Sequence, residues 1–298
     1  QVAWIGVIFA NPPAWVALTL MVILAVAEMA VPVIAERPGT PGGGSASEAA
    51  PSADAPLPER LAAASAGFEG TVSLYAKNLD TGATVGIRED EPVRTASTIK
   101  LPIMVACYRA VAEGKARWDE KLPVRAADKV SGSGVIREFA DDTLLTLRDL
   151  MHVMIVVSDN TATNVVLDRL TADYVNETMA QLGLTATRSM RKVRGDGNQL
   201  KAPSGWSKEG EKEENKRFGL GRSSPKEMVL LLERLEKGEI VSPEASKEMI
   251  AILERQQFKD GIGRRFSDTP GVRVASKSGS LDALRSDVGL LYIEAKDG

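Results

Sequence analysis

The sequence contains three short polar motifs with residues that could do chemistry, and the first is Ser97-Thr98-Ile99-Lys100. Residues three positions apart share a face of a helix, so a helix here would place the Lys100 amine beside the Ser97 hydroxyl. A serine hydroxyl is a poor nucleophile until a neighbouring base takes its proton. Lysine can be that base when burial or a second cation lowers its pKa. Taken alone, the motif is more typical of an N-capping serine beside a solvated lysine.

The other two polar motifs interrupt apolar stretches of the chain. Ser158-Asp159-Asn160 lies between the apolar runs MIVV and NVVL, and Lys277-Ser278-Gly279-Ser280 comes at the end of the strand-like run VRVAS. Gly279 permits a ligand to approach the backbone closely. The N–H group of Ser280 could stabilise an oxyanion. Each of these motifs, taken alone, is more typical of a turn than of a site.

The composition excludes several classes of protein and site. The 298 residues carry a formal net charge of −3, which provides no basic footprint for a nucleic-acid partner. The single cysteine, Cys107, excludes an internal disulfide and a cysteine-based metal cage, and we expect it to be a small buried side chain. His152 is the only histidine and is expected to be structural. A hydrolase built from this chain would therefore use a base other than histidine.

The first 58 residues differ from the rest in composition. No charged residue occurs in residues 1–27, and the stretch Ala14–Ala27 is strongly apolar but shorter than the roughly 20 residues of a membrane span. We interpret residues 1–35 as a signal peptide or membrane anchor, with a buried core helix as the alternative. Residues 36–58, rich in Pro, Gly, Ser and Ala, are predicted to be a disordered linker. Together they predict an exported protein, periplasmic or extracellular, that an uncleaved anchor could tether to the inner membrane.

Strand patterns occur at both ends of the remaining chain, and helix patterns lie between them. The strand patterns cover residues 71–76, 83–87, 272–275 and 287–293. Helix N-terminal capping signals occur at Thr146, Ser224 and Ser242. This arrangement predicts an α+β fold in which both chain ends form one antiparallel sheet and a helical subdomain is inserted at about residues 96–254.

Together and in this order, the three motifs resemble the signature of the class A β-lactamase and penicillin-binding protein superfamily of serine hydrolases. The resemblance extends from about residue 59 to the end of the chain. It is also carried by TASTIKLPIM, by Gly132–Gly134, by DLMHVMIVVSDNTATN and by KSGSLDALRSDVG. It implies a β-lactamase/transpeptidase-like catalytic domain over residues 59–298 and a small-molecule substrate, either a β-lactam or a D-Ala-D-Ala peptide. We expect a monomer with no cofactor and no metal.

The resemblance implies catalytic roles for four matching positions. Ser97 would be the acylated nucleophile, and Lys100 would be its base or proton relay. Ser158 would pass a proton to the leaving nitrogen of the β-lactam. Lys277 would lower the pKa of Lys100 and attract the substrate carboxylate.

The resemblance also implies substrate-binding roles. Asn160 would hold the amide side chain of the substrate. Ser278 and Arg285 would help to hold its carboxylate, and Gly279 would let it approach the backbone. The N–H groups of Ser97 and Ser280 would form the oxyanion hole.

The sequence departs from the family where the acyl-enzyme is hydrolysed. The resemblance implies a glutamate on a loop after the Ser158 motif, but Val193 stands near the expected position and Asp196 is the nearest carboxylate. Asp196 is therefore the candidate deacylation base. The glutamates at 209, 211, 213 and 214 are interpreted as a solvated surface charge run. The chain also stops at Gly298, before the final strand and long helix of the family, so those two elements are expected to be missing.

Three functions fit these observations. The sequence context favours a serine β-lactamase-like hydrolase that acts through a Ser97 acyl-enzyme. The missing glutamate favours a penicillin-binding D,D-peptidase that acts on peptidoglycan peptides. The apolar N-terminus allows a membrane-tethered sensor that is acylated by β-lactams.

Overall fold

The structure, a computed structural model, describes residues 2–10, 55–66, 68–194, 205–266 and 268–294. Its α-helices are α1 (Leu57–Ala66), α2 (Lys100–Ala112), α3 (Leu147–Val156), α4 (Asn160–Leu170), α5 (Ala172–Gln181), α6 (Lys208–Glu211), α7 (Pro225–Glu236) and α8 (Pro243–Glu254). Its strands are β1 (Val2–Ala10), β2 (Thr71–Asn78), β3 (Thr84–Ile87), β4 (Val93–Arg94), β5 (Lys121–Val124), β6 (Thr143–Thr146), β7 (Arg188–Ser189), β8 (Gly221–Ser223), β9 (Val272–Leu281) and β10 (Leu284–Ile293).

The main sheet joins strands from both ends of the chain in the order β3-β2-β1-β10-β9. The outer pairs, β2 with β3 and β9 with β10, are antiparallel, as predicted for this sheet, and each pair forms a hairpin. The expectation of a wholly antiparallel sheet is wrong at one place, because β1 pairs parallel with both β2 and β10. The near-continuous apolar run of β1, VAWIGVIFA, is typical of a parallel strand covered on both faces. β1 thus pairs with both hairpins, where the sequence predicted a sheet that lacks a strand.

The stretch Ala14–Ala27, on which the predicted signal peptide or anchor depends, lies outside the described residues, and so does most of the predicted linker. In the part of the chain that the structure describes, no helix is long and apolar enough to cross a bilayer. Export and the boundaries at residues 35 and 58 therefore stay predictions.

Helix α2 is the centre of the molecule. Every residue from Lys100 to Tyr108 is buried, which is the pattern of a helix surrounded by other elements. It contacts α3, α4, α5 and α8, while α7 lies against β1, β2 and β10, and α8 lies against β9. Cys107 is fully buried in this core, as predicted, and burial raises the pKa of its thiol.

The predicted helix caps are present and fix where three helices begin. The side chains of Thr146, Ser224 and Ser242 accept hydrogen bonds from the backbone N–H groups three residues further on, at 3.1, 3.2 and 3.1 Å. A cap of this kind is worth about 1 kcal/mol of stability. The first of them starts α3, the helix that leads to Ser158.

Candidate active site

Ser97 and Lys100 lie in one continuous helical segment, one turn apart. The 3-10 helix Ala96–Ile99 runs directly into α2, and the Lys100 N–H donates to the Ser97 carbonyl. Ser97 is partly exposed, whereas Lys100 is fully buried. Ala96, just before the serine, has φ of +47°, a conformation that costs a non-glycine residue roughly 1–3 kcal/mol. The surrounding contacts hold this strained turn, so the serine has a defined position.

Ser158 forms the turn between α3 and α4 and also has positive φ, at +53°. The next residue, Asp159, caps α4 by accepting from the Ala162 N–H at 2.8 Å. The Asp159 carboxylate also accepts from the backbone N–H groups of Val135 and Ile136, at 2.7 and 2.9 Å. These bonds fix both the Ser158 turn and the loop after Gly134.

Two buried lysines meet at the Ser158 hydroxyl. Lys100 Nζ lies 3.1 Å from Ser158 Oγ and Lys277 Nζ lies 3.0 Å from the same oxygen. Lys100 Nζ also donates to the Ser158 carbonyl at 2.7 Å and to Asn160 Oδ1 at 2.9 Å. The structure therefore brings together Lys100, Ser158, Asn160 and Lys277 from α2, the α3–α4 turn and β9.

Both lysines carry depressed pKa values. Burial lowers the pKa of Lys100 well below its usual range, the nearby Lys277 lowers it further, and Asp159 opposes both effects. Burial lowers the pKa of Lys277 to about 7, opposed by the buried carboxylate of Asp287. The lowered pKa favours the neutral form of the Lys100 amine, and a neutral amine can accept a proton.

Strand β9 passes close to the backbone of Ser97. A Cβ atom added at Gly279 would lie 2.8 Å from Ser97 N and 2.8 Å from Thr95 O, so only glycine fits without a backbone shift. Gly279 thus lies against the Ser97 backbone, and Ser278 precedes it on the same strand. Ser280, one residue further, is exposed.

Two predicted site residues, Arg285 and Asp196, are not placed in this cluster. Arg285 is exposed, and its guanidinium donates to the carbonyls of Leu281 and Leu284 in its own hairpin. Asp196 lies outside the described residues. His152 has its Nδ1 atom 3.3 Å from the Arg148 carbonyl of its own helix, which agrees with a structural role.

Sequence reasoning missed the residue that pins the loop around Val193. Asn164 is fully buried on α4, its Nδ2 donates to the Val193 carbonyl at 3.0 Å, and its Oδ1 accepts from the Val193 N–H at 2.8 Å. Nearby, Asn176 on α5 holds Ser189 in the same two-bond manner. A polar amide in the apolar run after Ser158 was the available sequence signal for Asn164.

The segment around Val193 is also held by charge. The neighbouring residue, Lys192, is buried and forms ion pairs with Asp128, at 3.5 Å, and with Asp168. Burial raises the pKa of Asp128, the proximity of Asp168 raises it further, and Lys192 opposes both. Further along, Glu209 pairs with Lys212, and Glu213 pairs with Lys216, as expected of a surface charge run.

The second residue that sequence reasoning missed is Gln256, which lies two residues beyond α8 and is buried against Lys277 and Ser278. No motif in the sequence indicated a role for Gln256.

Within the described residues, no group of three or more His, Cys, Asp and Glu side chains could hold a metal ion.

Comparison with known proteins gives matches over most of the chain. The profile of the beta-lactamase enzyme family matches residues 56–297. The crystal structure of a beta-lactamase from Sphaerobacter thermophilus is 36% identical, with a TM-score of 0.61 over 71% of this chain and 73% of that chain. The structure of PBP-A is 26% identical, with a TM-score of 0.62 over 75% of each chain.

Among curated proteins, Beta-lactamase L2 of Stenotrophomonas maltophilia is 38% identical over 88 residues, which are 29% of this chain and 29% of that protein. The match thus spans less than a third of the length of that relative.

Proposed function

Because the chain belongs to the beta-lactamase enzyme family, we propose that it is a serine hydrolase that opens β-lactam rings through an acyl-enzyme on Ser97. The observation that carries this proposal is the Ser158 hydroxyl, which lies within hydrogen-bond distance of two buried lysine amines. Few structural roles require two lysine amines that share one hydroxyl in a buried site, because burying each amine costs free energy. Proton transfer through that hydroxyl explains the arrangement.

In the proposed acylation, the neutral Lys100 amine takes the hydroxyl proton of Ser97 as Ser97 Oγ attacks the β-lactam carbonyl carbon. The tetrahedral intermediate collapses, and the bond between the carbonyl carbon and the ring nitrogen breaks. The ring nitrogen receives the proton of Ser158, and Ser158 takes the proton held by Lys100. Atoms and charge balance, and Lys100 returns to its neutral form.

The protonation states proposed for this step fit the hydrogen bonds of the two lysines. A neutral Lys100 has two N–H donors, which satisfy the Ser158 carbonyl and Asn160 Oδ1, and keeps one lone pair for a hydroxyl proton. A protonated Lys277 has three donors, and its three neighbours are the acceptors Ser158 Oγ, Ser278 O and Gln256 Oε1. Because Lys277 donates to Ser158 Oγ, the hydroxyl hydrogen of Ser158 can point towards another acceptor.

The remaining roles follow from what surrounds Ser97. We assign Asn160 to the substrate amide and Ser278 to its carboxylate, with Lys277 as the counter-charge. The N–H groups of Ser97 and Ser280 would receive the oxyanion, and the close approach of Gly279 to Ser97 N supports that pairing. Arg285 would have to leave its hairpin carbonyls to reach a carboxylate.

A second candidate is a D,D-peptidase that β-lactams trap as a stable acyl-enzyme. The observation that favours it is Val193, an apolar residue at the loop position fixed by Asn164, which lies one helical turn after Asn160. A valine cannot activate water. The similarity to PBP-A supports the same alternative.

The test is to mix the protein with nitrocefin and to follow both ring opening and the mass of the protein. Turnover that is lost in Ser97→Ala supports the hydrolase, and loss in Asp196→Asn would assign the deacylation base. A stoichiometric burst with a stable adduct on Ser97 supports the D,D-peptidase instead. The control is His152→Gln, which should behave as the wild type. Absence of any Ser97 adduct would contradict both candidates.

We also propose that the protein acts outside the cytoplasm, as the apolar stretch Ala14–Ala27 followed by a Pro/Gly/Ser-rich segment supports. Fractionation of cells that express the full chain, with detection in the periplasm, membrane and cytoplasm, tests this. Size-exclusion chromatography with light scattering tests the expected monomer.

A further inference from the structure

Gln256 is a buried amide whose contacts all lead to the residues around Lys277. Its side chain is 1% exposed, and its backbone N–H donates to the Leu253 carbonyl as the chain leaves α8. The next N–H, that of Gln257, donates to the Val156 carbonyl at 2.9 Å, at the end of α3. This bond ties the turn that carries Gln256 to the turn that carries Ser158.

One oxygen of Gln256 accepts three hydrogen bonds. Its Oε1 accepts from the Ser278 N–H at 2.9 Å, from the Ser278 hydroxyl at 3.0 Å and from Lys277 Nζ at 3.2 Å. The backbone donor fixes which end of the amide faces β9. The Nε2 end donates to Ser276 Oγ at 2.9 Å. The amide therefore contacts three consecutive residues of β9.

These contacts matter for the orientation of the Lys277 amine. An ammonium group has three N–H donors at fixed angles, so two anchored donors determine the direction of the third. The acceptors Gln256 Oε1 and Ser278 O hold two of them, and the third then points to Ser158 Oγ at 3.0 Å. Gln256 also has no charge, so it orients the ammonium without neutralising it.

We propose that Gln256 is a positioning residue that aims the Lys277 ammonium at Ser158 and holds the Ser278 hydroxyl for an anionic substrate group, while its neutrality preserves the positive charge of the site. This inference rests on the proposed function. It predicts that orientation and charge can be separated, because one substitution can remove the acceptor and another can keep the acceptor but add a charge.

Two variants separate these effects. In Gln256→Met the acceptor is lost at similar volume, so Lys277 and Ser278 lose their anchor, and we expect the acylation rate constant for nitrocefin to fall at least about tenfold. In Gln256→Glu the acceptor is kept, and Ser276 Oγ can donate to it. Here we expect the acylation rate constant to stay within about threefold of wild type. The apparent dissociation constant for the anionic substrate should rise about tenfold at pH 7, because a carboxylate now neutralises Lys277.

The pH profile gives a readout that a purely structural role would not move. The charged groups that act on Lys277 and its surroundings are Lys100 on α2, with Asp159 beside it, and Asp287 on β10, with Lys259 near it. A carboxylate at position 256 would contact Lys277 directly and favour its charged form. The alkaline limb of the acylation profile should therefore move up by about one pH unit in Gln256→Glu.

The matched control is Gln257→Glu, the same change in the adjacent residue, whose side chain is exposed. It should leave the rate constant, the dissociation constant and the alkaline limb unchanged. If both Gln256 variants acylate at the same rate as the control, the inference is overturned, although the proposed function would stand.

Failure of the proposed function is recognised separately, as absence of a Ser97 adduct in the wild type. The contact between Gln256 and Lys277 is then tested by measuring the free energy of unfolding as a function of pH. The pKa of Lys277 is about 7 in the folded protein and 10.5 in the unfolded chain. Between these two pH values the unfolded state binds more protons, so the wild type gains stability as the pH rises. This gain should begin at higher pH in Gln256→Glu. A profile that matches Gln257→Glu would overturn the inference.

Discussion

The side chain of Asn164 forms hydrogen bonds with both backbone polar groups of Val193, at 3.0 Å to the carbonyl and 2.8 Å to the N–H. Asn164 lies one helical turn after Asn160, whose Oδ1 contacts the Lys100 amine. Asn164 therefore ties the loop residue at position 193 to the helix that carries Asn160, and the ion pairs of the neighbouring Lys192 hold the same segment. We therefore expect the side chain at this position to influence how fast the proposed acyl-enzyme is hydrolysed.

The first prediction is that Val193→Glu increases hydrolysis of the acyl-enzyme. Val193 is only partly buried, so a carboxylate fits there without complete desolvation, and it could activate a water beside Ser97. We expect the deacylation rate constant to increase at least about tenfold, with the acylation rate constant little changed. The measurement is steady-state nitrocefin turnover together with the decay of the adduct mass.

The control for this change is Val193→Gln, which adds the same length without a base. Equal deacylation in the Glu and Gln variants would show that position 193 does not deliver a carboxylate to the water.

The second prediction concerns Asn164→Leu. The substitution leaves the Val193 N–H and two carbonyls without their partner, which should lower the free energy of unfolding by about 2 kcal/mol. Urea denaturation measures the loss. The matched change Asn176→Leu removes the equivalent clamp on Ser189 and should cost a similar amount. Only Asn164→Leu should change the lifetime of the acyl-enzyme, and an equal effect of both variants on this lifetime would count against the assignment.

The third prediction is that the acylation rate constant falls on the alkaline side of its pH profile. Burial lowers the pKa of Lys277 to about 7, and the substrate carboxylate binds the protonated form of this lysine. Acylation should therefore decline as the pH rises above about 7. Lys277→Arg stays protonated throughout, so the decline should disappear even if the maximal rate is lower. Stopped-flow acylation between pH 5 and 10 provides the measurement, and an unchanged limb in the Arg variant would assign it to another group.

The fourth prediction is that Gly279→Ala abolishes acylation. The added Cβ would lie within 3 Å of Ser97 N, Thr95 O and Ser286 Oγ, and two of these atoms belong to backbone that cannot move aside cheaply. We expect a loss of at least about a hundredfold in acylation rate, because the nucleophile and its oxyanion hole shift together. Gly86→Ala meets only the flexible Glu89 side chain and should retain activity. Normal acylation in Gly279→Ala would show that the approach of β9 to Ser97 is not required.

Local sequence patterns determined a large part of this fold. The caps at Thr146, Ser224 and Ser242 and the hairpin of β2 and β3 depend on contacts within a few residues, so their signals are complete in short stretches of sequence. Strand β1 was not predicted, because a strand is stabilised by its neighbours and the apolar run alone also fits a signal segment. The parallel pairing of β1 depends on partners far away in sequence.

For the candidate site, too, some features were predictable from local sequence and others depended on the tertiary structure. The types and order of Ser97, Lys100, Ser158 and Lys277 were enough to predict the proposed chemistry, since spacing within each motif is a local property. Only the tertiary structure decided that both lysines meet at one hydroxyl and that burial, with their mutual repulsion, lowers the pKa of Lys100. Asn164 and Gln256 emerged only there as well, because the value of a buried amide depends on which distant backbone groups it satisfies.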